Sequence, residues 1–549
     1  MRKYLKLMVS VFLIFVILFT SACRRELKDL TEDDAKTTLN SYLKKISISD
    51  NQNPVKDIAG AESISLANIN KYPLSVETNA EISVEIFTST EKGGTGNDGW
   101  INDIAKRFNE SNQNINGKTI GVEIRPIASG LAMDYLTSKT YTPDAFSPSN
   151  ELWIEMLKSK EITPTLIEKT LVGNTAGVLI KNELYNNLKQ AHGEINLAKI
   201  AELGISKNIT FGYTSPYASS TGLNMLVSIL TEFDKKDPLS DNAVNQMIQF
   251  QGCVPPALLT TAQMRDSASN GLIDIMVMEY QAYINEPILK DYIFIPMGVR
   301  HDSPLYAVKE LSDDKTQVLK LFSEFCKNSE SQKLAVEYGF NQNKDYVGAD
   351  ITMSGSELYQ AQSLWKENKE GGKPIIAVFV ADLSGSMQGS PLKSLQNALV
   401  GASPYIGQSN YIGLVSYSSS VVRELPITQF DNNQRALFNG VVKKFQSNGS
   451  TYTHEALMVA ADMVLAAKEQ HPDATGMIFL LTDGESNGHY EYKDSAPIIK
   501  GLKIPVHCIG FNHGSDELDE LSKLVEASYI KADNDDVSYQ LKLIFQNGL

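Results

Sequence analysis

Two long stretches of the chain alternate short apolar runs with segments whose apolar positions recur at helical spacing. The first stretch predicts strands at 84–89, 121–126, 176–180, 209–213, 273–278 and 292–296, and helices at 100–110, 131–139, 220–233 and 316–338. The second predicts strands at 375–381, 411–417, 421–425, 477–481, 505–510 and 529–532. Because continuous apolar runs separated by helices are typical of strands covered on both faces, we expect α/β folds in both stretches.

The boundaries between these stretches suggest how the chain is organised. Its 549 residues allow three or four domain-sized units. Residues 24–80 are polar, with mixed charge and no sustained strand pattern, so we interpret 23–80 as a polar tether. The first α/β region then covers 81–343, and a connector helix and linker with Gly371 and Gly372 covers 344–372. A second α/β domain covers 373–549.

The composition narrows the class of partner. Hydrophobic residues make up 42% of the chain and charged residues 21%, which is the balance of a globular protein. The formal net charge is −15 at pH 7. Because an acidic chain repels phosphate backbones, we expect no nucleic-acid partner.

The first 23 residues have the pattern of an export signal. Basic residues precede the apolar run 7–19, and Thr20, Ser21 and Ala22 lead into Cys23. This ending resembles the lipobox of bacterial lipoproteins, although the family usually has Leu where this chain has Thr20. The resemblance implies that residues 1–22 are a lipoprotein signal peptide and that a lipid on Cys23 holds the protein on the extracytoplasmic face of the cell membrane. The alternative is a marginal transmembrane anchor.

Three further cysteines are too few to form a disulfide framework. They are Cys253, Cys326 and Cys508. A Cys253–Cys326 pair is one interpretation, and buried structural thiols are the one that we favour.

Oxygen-bearing side chains follow two of the apolar runs in the second α/β region. The run 375–381 ends in Asp382, Ser384 and Ser386, and the run 477–481 ends in Thr482-Asp483-Gly484. Open α/β sheets bind their ligands at the carboxyl ends of the strands. Because hydroxyl and carboxylate oxygens suit hard divalent cations, this edge is predicted to hold a metal ion.

Together with Gly449-Ser450-Thr451, these motifs resemble the metal-ion-dependent adhesion site of von Willebrand factor A (VWA) domains. The resemblance covers residues 373–549 and implies a doubly wound, Rossmann-like fold. It implies a Mg²⁺ (or Mn²⁺ or Ca²⁺) ion and an open position for an Asp or Glu carboxylate of a protein partner. The loop oxygen could come from Thr453, but the spacing to the following helix favours Thr451. The ligand set that the resemblance implies is Asp382, Ser384, Ser386, Thr451 and Asp483.

Other interpretations of this region are weaker. Single Asp residues usually cap helices or turns, but three ordered motifs argue against capping alone. An aspartyl-nucleophile phosphatase would usually keep a second Asp two positions after the first, where this chain has Ser384. His454 could be offered as a base, but a capping or surface role is expected at a helix start.

The middle region resembles the type 2 periplasmic substrate-binding fold, two α/β lobes around a cleft, over residues 81–343. The resemblance rests on 211–223, 270–275 and 322–340. The formal GxGxxG at 94–99 is expected to be a turn that feeds a helix, because four residues separate it from the preceding strand. The predicted cleft residues come from strand-to-helix loops and are Ser89, Thr90, Ser129, Ser147, Ser219, Ser220, Thr221, Glu279 and Tyr280.

These features predict a surface lipoprotein without enzymatic activity, in which the VWA domain grips an acidic residue of a protein partner beside a solute-binding-like module. The alternative is a solute receptor, sensor or transport-associated binding protein whose VWA domain docks a membrane partner. An enzymatic interpretation is weaker still, and would use an open Mg²⁺ site as a Lewis acid.

Overall fold

Seventeen strands are formed within the part of the chain that the computed structural model describes. That part comprises residues 27, 29–57, 66–207, 209, 211–252, 254, 273–369, 373–484, 486–511, 516–525, 527, 529–533 and 536–548. The predicted signal peptide, Cys23 and Cys253 lie outside it, and Cys326 and Cys508 are buried free thiols. The strands are β1 (Ile48–Asp50), β2 (Ile82–Thr88), β3 (Asn114–Ile115), β4 (Lys118–Pro126), β5 (Ala145–Ser147), β6 (Thr165–Glu168), β7 (Thr175–Lys181), β8 (Phe211–Gly212), β9 (Ile275–Glu279), β10 (Tyr292–Arg300), β11 (Leu305–Ala307), β12 (Ile375–Asp382), β13 (Tyr411–Tyr417), β14 (Val421–Gln429), β15 (Thr475–Thr482), β16 (Val506–Phe511) and β17 (Tyr529–Ala532).

The helices alternate with these strands. The α-helices of the described residues are Glu32–Leu43, Thr90–Gly93, Trp100–Glu110, Ser129–Ser138, Leu152–Lys158, Asn182–His192, Leu197–Lys207, Ser220–Phe233, Asp241–Gln251, Tyr280–Asn285, Asp313–Lys327, Ser329–Glu337, Gly355–Asn368, Ser390–Ala402, Asn432–Lys443, Thr453–Gln470, Tyr492–Leu502, Asp516–Lys523 and Val537–Gly548. Short 3-10 turns occur at Ile69–Lys71, Gly96–Asp98, Pro287–Asp291, Gly385–Met387 and Ser403–Tyr405.

The middle region folds into two lobes, each built on its own sheet. The first lobe has a six-stranded sheet in the order β3-β4-β2-β5-β11-β6, and the second has a four-stranded sheet in the order β10-β7-β9-β8. The chain passes to the second lobe between β6 and β7 and returns between β10 and β11. The predicted two-lobed α/β architecture is therefore confirmed.

The C-terminal region is a doubly wound sheet with helices on both faces. Its order is β1-β14-β13-β12-β15-β16-β17, and β12 pairs in parallel with both β13 and β15. Alternate residues of β12 point to opposite faces, so that Phe379 joins one hydrophobic core while Val378 and Val380 join the other. This alternation explains why the run 375–381 is apolar throughout.

The prediction of a polar tether over 23–80 is wrong for the described residues of that range. The helix Glu32–Leu43 buries Ala35 and Leu39 in the core of the C-terminal domain. β1 then pairs in parallel with β14, with Ile48 opposite Val421. The polar side chains that suggested a tether are the solvent-facing side of this short helix. Only two of its residues are buried, too few for the helical period to stand out in the sequence.

The rest of this N-terminal arm (the described residues of 29–80) continues along the protein. The Asp57 amide donates to the Ala436 carbonyl, and a Cβ at Gly440 would lie 1.9 Å from the Val55 carbonyl oxygen. Glycine is therefore required where the arm crosses the helix Asn432–Lys443. Val76 then bridges to Ile124 in the first lobe. The arm contacts both α/β regions.

Two helices differ from their predicted roles or extents. The connector helix Gly355–Asn368 packs on the two-lobed region, where Leu358 and Trp365 are buried in the same core as residues of both lobes. The single helix predicted over 316–338 is two helices, because Asn328 has an extended backbone and its side chain caps the second one at Ser331.

The C-terminal helix Val537–Gly548 joins the two α/β regions. Lys542 forms an ion pair of 2.8 Å with Asp134 on the helix Ser129–Ser138. Tyr539 is buried in the core cluster of the two-lobed region. None of the helices within the described residues has both the length and the hydropathy needed to cross a bilayer.

Truncating Leu39 tests whether the arm is part of the C-terminal fold. Leu39→Ala removes a side chain that is 1% exposed, and should lower the free energy of unfolding by about 2–5 kcal/mol. Asn40→Ala, at the exposed neighbouring position, should change it by less than about 0.5 kcal/mol. Chemical denaturation of the two variants gives the comparison. Equal stabilities would mean that the helix Glu32–Leu43 does not pack as described.

Candidate functional site

Asp382 lies at the end of β12, at the carboxyl edge of the C-terminal sheet. Ala381 pairs with Leu481 of β15, so that Asp382 lies beside Thr482. The Thr482 hydroxyl donates to Asp382 Oδ2 at 2.6 Å, and the Ser384 amide donates to Oδ1 at 2.8 Å. Both carboxylate oxygens of this fully buried side chain are thus held in place.

A line of side-chain oxygens leads from Asp382 to Asp483. Ser384 Oγ lies 3.0 Å from Ser386 Oγ, and the Ser386 hydroxyl donates to Asp483 Oδ1 at 2.8 Å. Ser384 is buried, whereas Ser386 is exposed and Asp483 is half-buried. Four of the five predicted ligands therefore form one cluster that opens to solvent at its outer end.

The loop that carries the fifth predicted ligand is joined to the same cluster through its backbone. The Gly385 amide donates to the Gly449 carbonyl at 3.0 Å. The Thr451 amide donates to Asn487 Oδ1 at 2.7 Å, and Ser486 Oγ donates to the Thr451 carbonyl. These bonds place Thr451 between the loop that follows β12 and the loop that follows β15.

The alternative loop ligand, Thr453, is engaged elsewhere. Its side chain is buried, and its hydroxyl donates to the Tyr417 hydroxyl at 3.3 Å. Within the described residues, the Thr451 contacts run through its backbone amide and carbonyl, and no side chain forms a hydrogen bond with its hydroxyl. The geometry therefore favours Thr451 over Thr453, as the spacing predicts.

The electrostatics of the cluster favour a bound cation. Burial raises the pKa of the Asp382 carboxyl, and the nearby Asp483 carboxylate raises it further. Burial and Asp382 raise the pKa of Tyr417 well above its ordinary value. A cation beside two crowded carboxylates would stabilise their charged forms.

The donor set fits a hard cation in its chemistry. Its side chains offer only oxygen, from two carboxylates and from hydroxyls. Within the described ranges, no group of three or more His, Cys, Asp or Glu side chains is arranged to hold a metal. A cation at this edge would therefore depend on the hydroxyls of Ser384, Ser386 and Thr451 as well as on the two aspartates.

His454 and Glu455, which start the helix after the Thr451 loop, have structural contacts. His454 is fully buried rather than on the surface, with Nδ1 2.8 Å from Ser495 Oγ and Nε2 3.0 Å from Glu517 Oε1. Glu455 Oε1 accepts from the His489 amide at 2.7 Å. These bonds brace the helix Thr453–Gln470 against the neighbouring elements. A surface position for His454 is therefore wrong.

The predicted cleft residues of the two-lobed region are distributed over the contact between the lobes. Ser129 Oγ lies 3.1 Å from Ser220 Oγ, and the Gly130 amide donates to the Ala218 carbonyl. A Cβ at Gly130 would lie 1.9 Å from the Tyr217 carbonyl oxygen, so glycine is needed for this close approach. The two lobes are therefore in direct contact at the predicted cleft.

Most of the predicted cleft side chains have partners within the protein. The Ser89 hydroxyl accepts from Lys92, Ser219 caps the helix Ser220–Phe233, and Ser220 Oγ accepts from Trp153. Thr221 donates to Glu279 at 3.4 Å. Thr90 is exposed, and the Tyr280 ring packs against the Phe294 ring.

A few buried hydroxyls at this contact have no partner among the described residues. They belong to Ser147, which we predicted, and to Thr88, Ser149 and Thr175, which we did not. Thr88, Ser147 and Ser149 lie where β2 and β5 end side by side. These oxygens are available for a small bound molecule.

His301, which the sequence did not reveal, lies beside the predicted cleft residue Glu279 at the contact between the lobes. His301 Nδ1 lies 2.7 Å from Glu279 Oε1, and its Nε2 lies 3.0 Å from the amide nitrogens of Asn150 and Asn224. Asn174 Nδ2 donates to Glu279 Oε2 at 2.6 Å. The Asn150 amide nitrogen also donates to the Ser220 carbonyl, so that this network spans both lobes.

Lys92 is the second residue of this contact that the sequence did not reveal. Its ammonium group is buried and donates to Ser89 Oγ and to the Ser147 carbonyl. Burial lowers the pKa of Lys92 to about 8, and burial with Glu279 raises the pKa of Glu91 to about 7. The position of Lys92 directly before a glycine-rich stretch gave the appearance of a solvent-exposed turn.

The 3-10 turn within 94–99 lies at the same contact. Gln281 Nε2 of the second lobe donates to the Asn97 carbonyl and to Asp98 Oδ1 of the first. This stretch precedes the helix Trp100–Glu110, as predicted, and its turn takes part in joining the lobes.

Residues 377–544 match the family described as the von Willebrand factor type A domain. The C-terminal part of this chain is therefore a VWA domain, as the three ordered motifs predicted. Inter-alpha-trypsin inhibitor heavy chain H3 of Bos taurus is 28% identical over 156 residues, which are 26% of this chain and 17% of that protein. The chain thus spans less than a fifth of the length of that relative.

Solved structures similar to the chain include solute-binding proteins. The sulfate-binding protein SubI of Mycobacterium tuberculosis H37Rv is 15% identical, and the match covers 50% of this chain and 93% of SubI with a TM-score of 0.36. Iron-bound HitA of Pseudomonas aeruginosa is 14% identical, and the match covers 53% of this chain and 99% of HitA with a TM-score of 0.38.

Replacing Lys92 tests the buried charge between the lobes. The unfolded chain keeps the Lys92 proton up to a pH near 10.5, whereas the folded protein releases it near pH 8. Because the unfolded state then binds more protons, this residue should make stability rise with pH between these values. Lys92→Met should remove that rise, and Lys118→Met, at an exposed position, should retain it. Thermal unfolding midpoints at several pH values measure this dependence of stability on pH. Identical pH profiles for the wild type and both variants would contradict a buried ammonium group at Lys92.

Proposed function

We propose that this protein is an extracytoplasmic lipoprotein that binds a protein partner through a divalent cation held by its VWA domain. The observation that carries the proposal is the line of oxygens from Asp382 through Ser384 and Ser386 to Asp483. The cation is Mg²⁺, or Mn²⁺ or Ca²⁺ in its place, and Thr451 is the fifth ligand.

The donor set suits a cation that captures a carboxylate. The hydroxyls add no negative charge to that of the two aspartates, and five protein oxygens leave one of the six positions around an octahedral divalent cation open. Such an ion attracts a further anionic oxygen, which an Asp or Glu of a partner supplies. The exposed Ser386 lies at the outer end of the cluster, where a partner has access.

On this proposal the site binds its partner without transforming it. His454, the candidate base that the sequence offers, is fully buried, and its two nitrogens face Ser495 and Glu517. A general base must reach the proton that it removes. The structural engagement of His454 supports a binding role for the domain.

The membrane anchor is the remaining part of the proposal. It rests on the sequence of residues 1–23, whose basic start, apolar run and terminal cysteine resemble lipoprotein signals. The lipid on Cys23 would hold the chain on the extracytoplasmic face of the cell membrane.

A second candidate function is that of a solute receptor or transport-associated binding protein. The partnerless buried hydroxyls of Thr88, Ser147, Ser149 and Thr175 favour it, because they lie with Lys92 where the two lobes meet. A small polar solute could satisfy these oxygens. Its VWA domain would then dock a membrane partner.

Metal binding by the isolated protein tests the main proposal. Mg²⁺ or Mn²⁺ should raise the unfolding temperature of the wild-type protein, and titration calorimetry should show one site. Asp382→Ala should reduce the affinity by at least about tenfold, because a ligand and its charge are lost. Asp473→Ala is the matched control, since Asp473 is an exposed carboxylate in the turn before β15, at the opposite edge of the same sheet.

Three outcomes separate the two candidate functions. Loss of metal binding in Asp382→Ala but not in Asp473→Ala supports the metal-dependent site. Metal binding that survives in Asp382→Ala contradicts it. A shift of the unfolding temperature by anions, amino acids or sugars in the presence of EDTA supports the solute receptor.

A further inference from the structure

We propose that the lipid anchor and the candidate metal site lie at opposite poles of the VWA domain, so that the site faces a partner beyond the anchoring membrane. This inference rests on the proposed function, from which it takes the lipid on Cys23 and the cation. It adds the direction in which the site is presented and the kind of partner that can reach it.

The first described contacts of the N-terminal arm define the anchor pole. Asp29 forms an ion pair of 2.6 Å with Lys500, and the Leu30 carbonyl packs against Gly501. Both residues lie near the end of the helix Tyr492–Leu502, which is followed by β16. The chain therefore enters the domain at the amino edge of the parallel strands.

The helix Glu32–Leu43 runs from this pole toward the opposite edge. Its start lies near the end of the helix Thr453–Gln470, since Glu32 interacts with Lys468. Its end lies near the start of the helix Tyr492–Leu502, where the Tyr42 and Tyr490 rings are 4.9 Å apart. β1 then returns alongside β14, which is antiparallel to β13. Every described element of the arm agrees with entry at the amino edge.

The candidate metal site lies at the other edge. Asp382 and Asp483 follow the carboxyl ends of β12 and β15, and Thr451 lies just before the start of the helix Thr453–Gln470. That helix has 18 residues, so at 1.5 Å per residue its two ends are about 27 Å apart. The two poles are therefore separated by about this length.

The covalent chain limits how the domain can turn. Cys23 and Asp29 are six residues apart in the sequence, which spans at most about 22 Å whatever the conformation. If the metal site pointed straight at the bilayer, Asp29 would lie about 27 Å above it, beyond the reach of an anchored Cys23. The anchor therefore does not allow the site to point straight at the bilayer, and it favours orientations in which the site is turned away from it.

The orientation of the anchored domain determines which class of partner protein can reach the metal site. A carboxylate on a protein embedded in the same membrane would have to approach the pole that the anchor turns outward. A carboxylate on a secreted protein or on an opposing surface meets that pole directly. The partner that this orientation favours is a protein that lies beyond the anchoring membrane.

Energy transfer to the bilayer measures the orientation in the full-length, lipidated protein. Gln388 is exposed beside the candidate metal site, and Asp473 is exposed near the anchor pole. Gln388→Cys and Asp473→Cys, each in a Cys253→Ser background, are labelled with a donor, since Cys326 and Cys508 are buried. The proteins are inserted into phosphatidylcholine–phosphatidylglycerol vesicles that carry an acceptor on the headgroups. We expect a larger loss of donor fluorescence for the label at position 473.

A variant with a longer linker between Cys23 and Asp29 provides the control. Inserting about 40 Gly and Ser residues between Cys23 and Asp29 adds a flexible span of about 35 Å, which should bring the two labels to equal quenching. Vesicle flotation of the wild type and of Cys23→Ser reports anchoring separately, and calorimetry of the same samples reports metal binding.

The outcomes distinguish this inference from the proposed function. Flotation that depends on Cys23, with stronger quenching at position 473, supports the inference. Flotation with equal or stronger quenching at position 388 overturns it while leaving the anchored, metal-binding protein in place. Absence of flotation overturns both the anchor and the orientation built on it.

Discussion

The pairing of β12 with β15 is the constraint on which the candidate metal site depends. Two adjacent parallel strands end at the same edge of a sheet. Their register puts Asp382 beside Thr482, the residue that precedes Asp483. The Thr482 hydroxyl then fixes one oxygen of Asp382, and the loop after β12 brings Ser386 to Asp483. A shift of one residue in this register would turn these side chains to opposite faces. The apolar cores on both faces of β12 make such a shift costly, because every residue of the strand is buried.

The structure is predictable from the sequence where one local pattern decides it. The run 375–381 could only be a strand buried on both faces, and the motif after it marks the edge where ligands bind. The arm was missed for the opposite reason. Its helix Glu32–Leu43 buries just Ala35 and Leu39, and β1 has three residues, so their structure is decided by tertiary contacts with the C-terminal domain. Local periodicity cannot report such contacts.

The contact between the two lobes was also predicted only in part, because its residues are distant in the sequence. Ser129 and Ser220 were predicted from strand-to-helix loops, and the structure joins them to each other. His301 and Lys92 were not predicted, because a single titratable residue outside any motif carries no signal of burial. Their partners are 22 or more residues away for His301 and up to 56 away for Lys92. Only the fold brings these groups together.

The central claim is that the oxygens at the edge of β12 and β15 hold a divalent cation, and anomalous diffraction from crystals grown with Mn²⁺ tests it most directly. We expect a strong anomalous peak among the oxygens of Asp382, Ser384, Ser386, Thr451 and Asp483. Under the same conditions, crystals of Asp382→Ala should lack that peak. A wild-type map without a peak at this edge, or with manganese only elsewhere on the protein, would contradict the account.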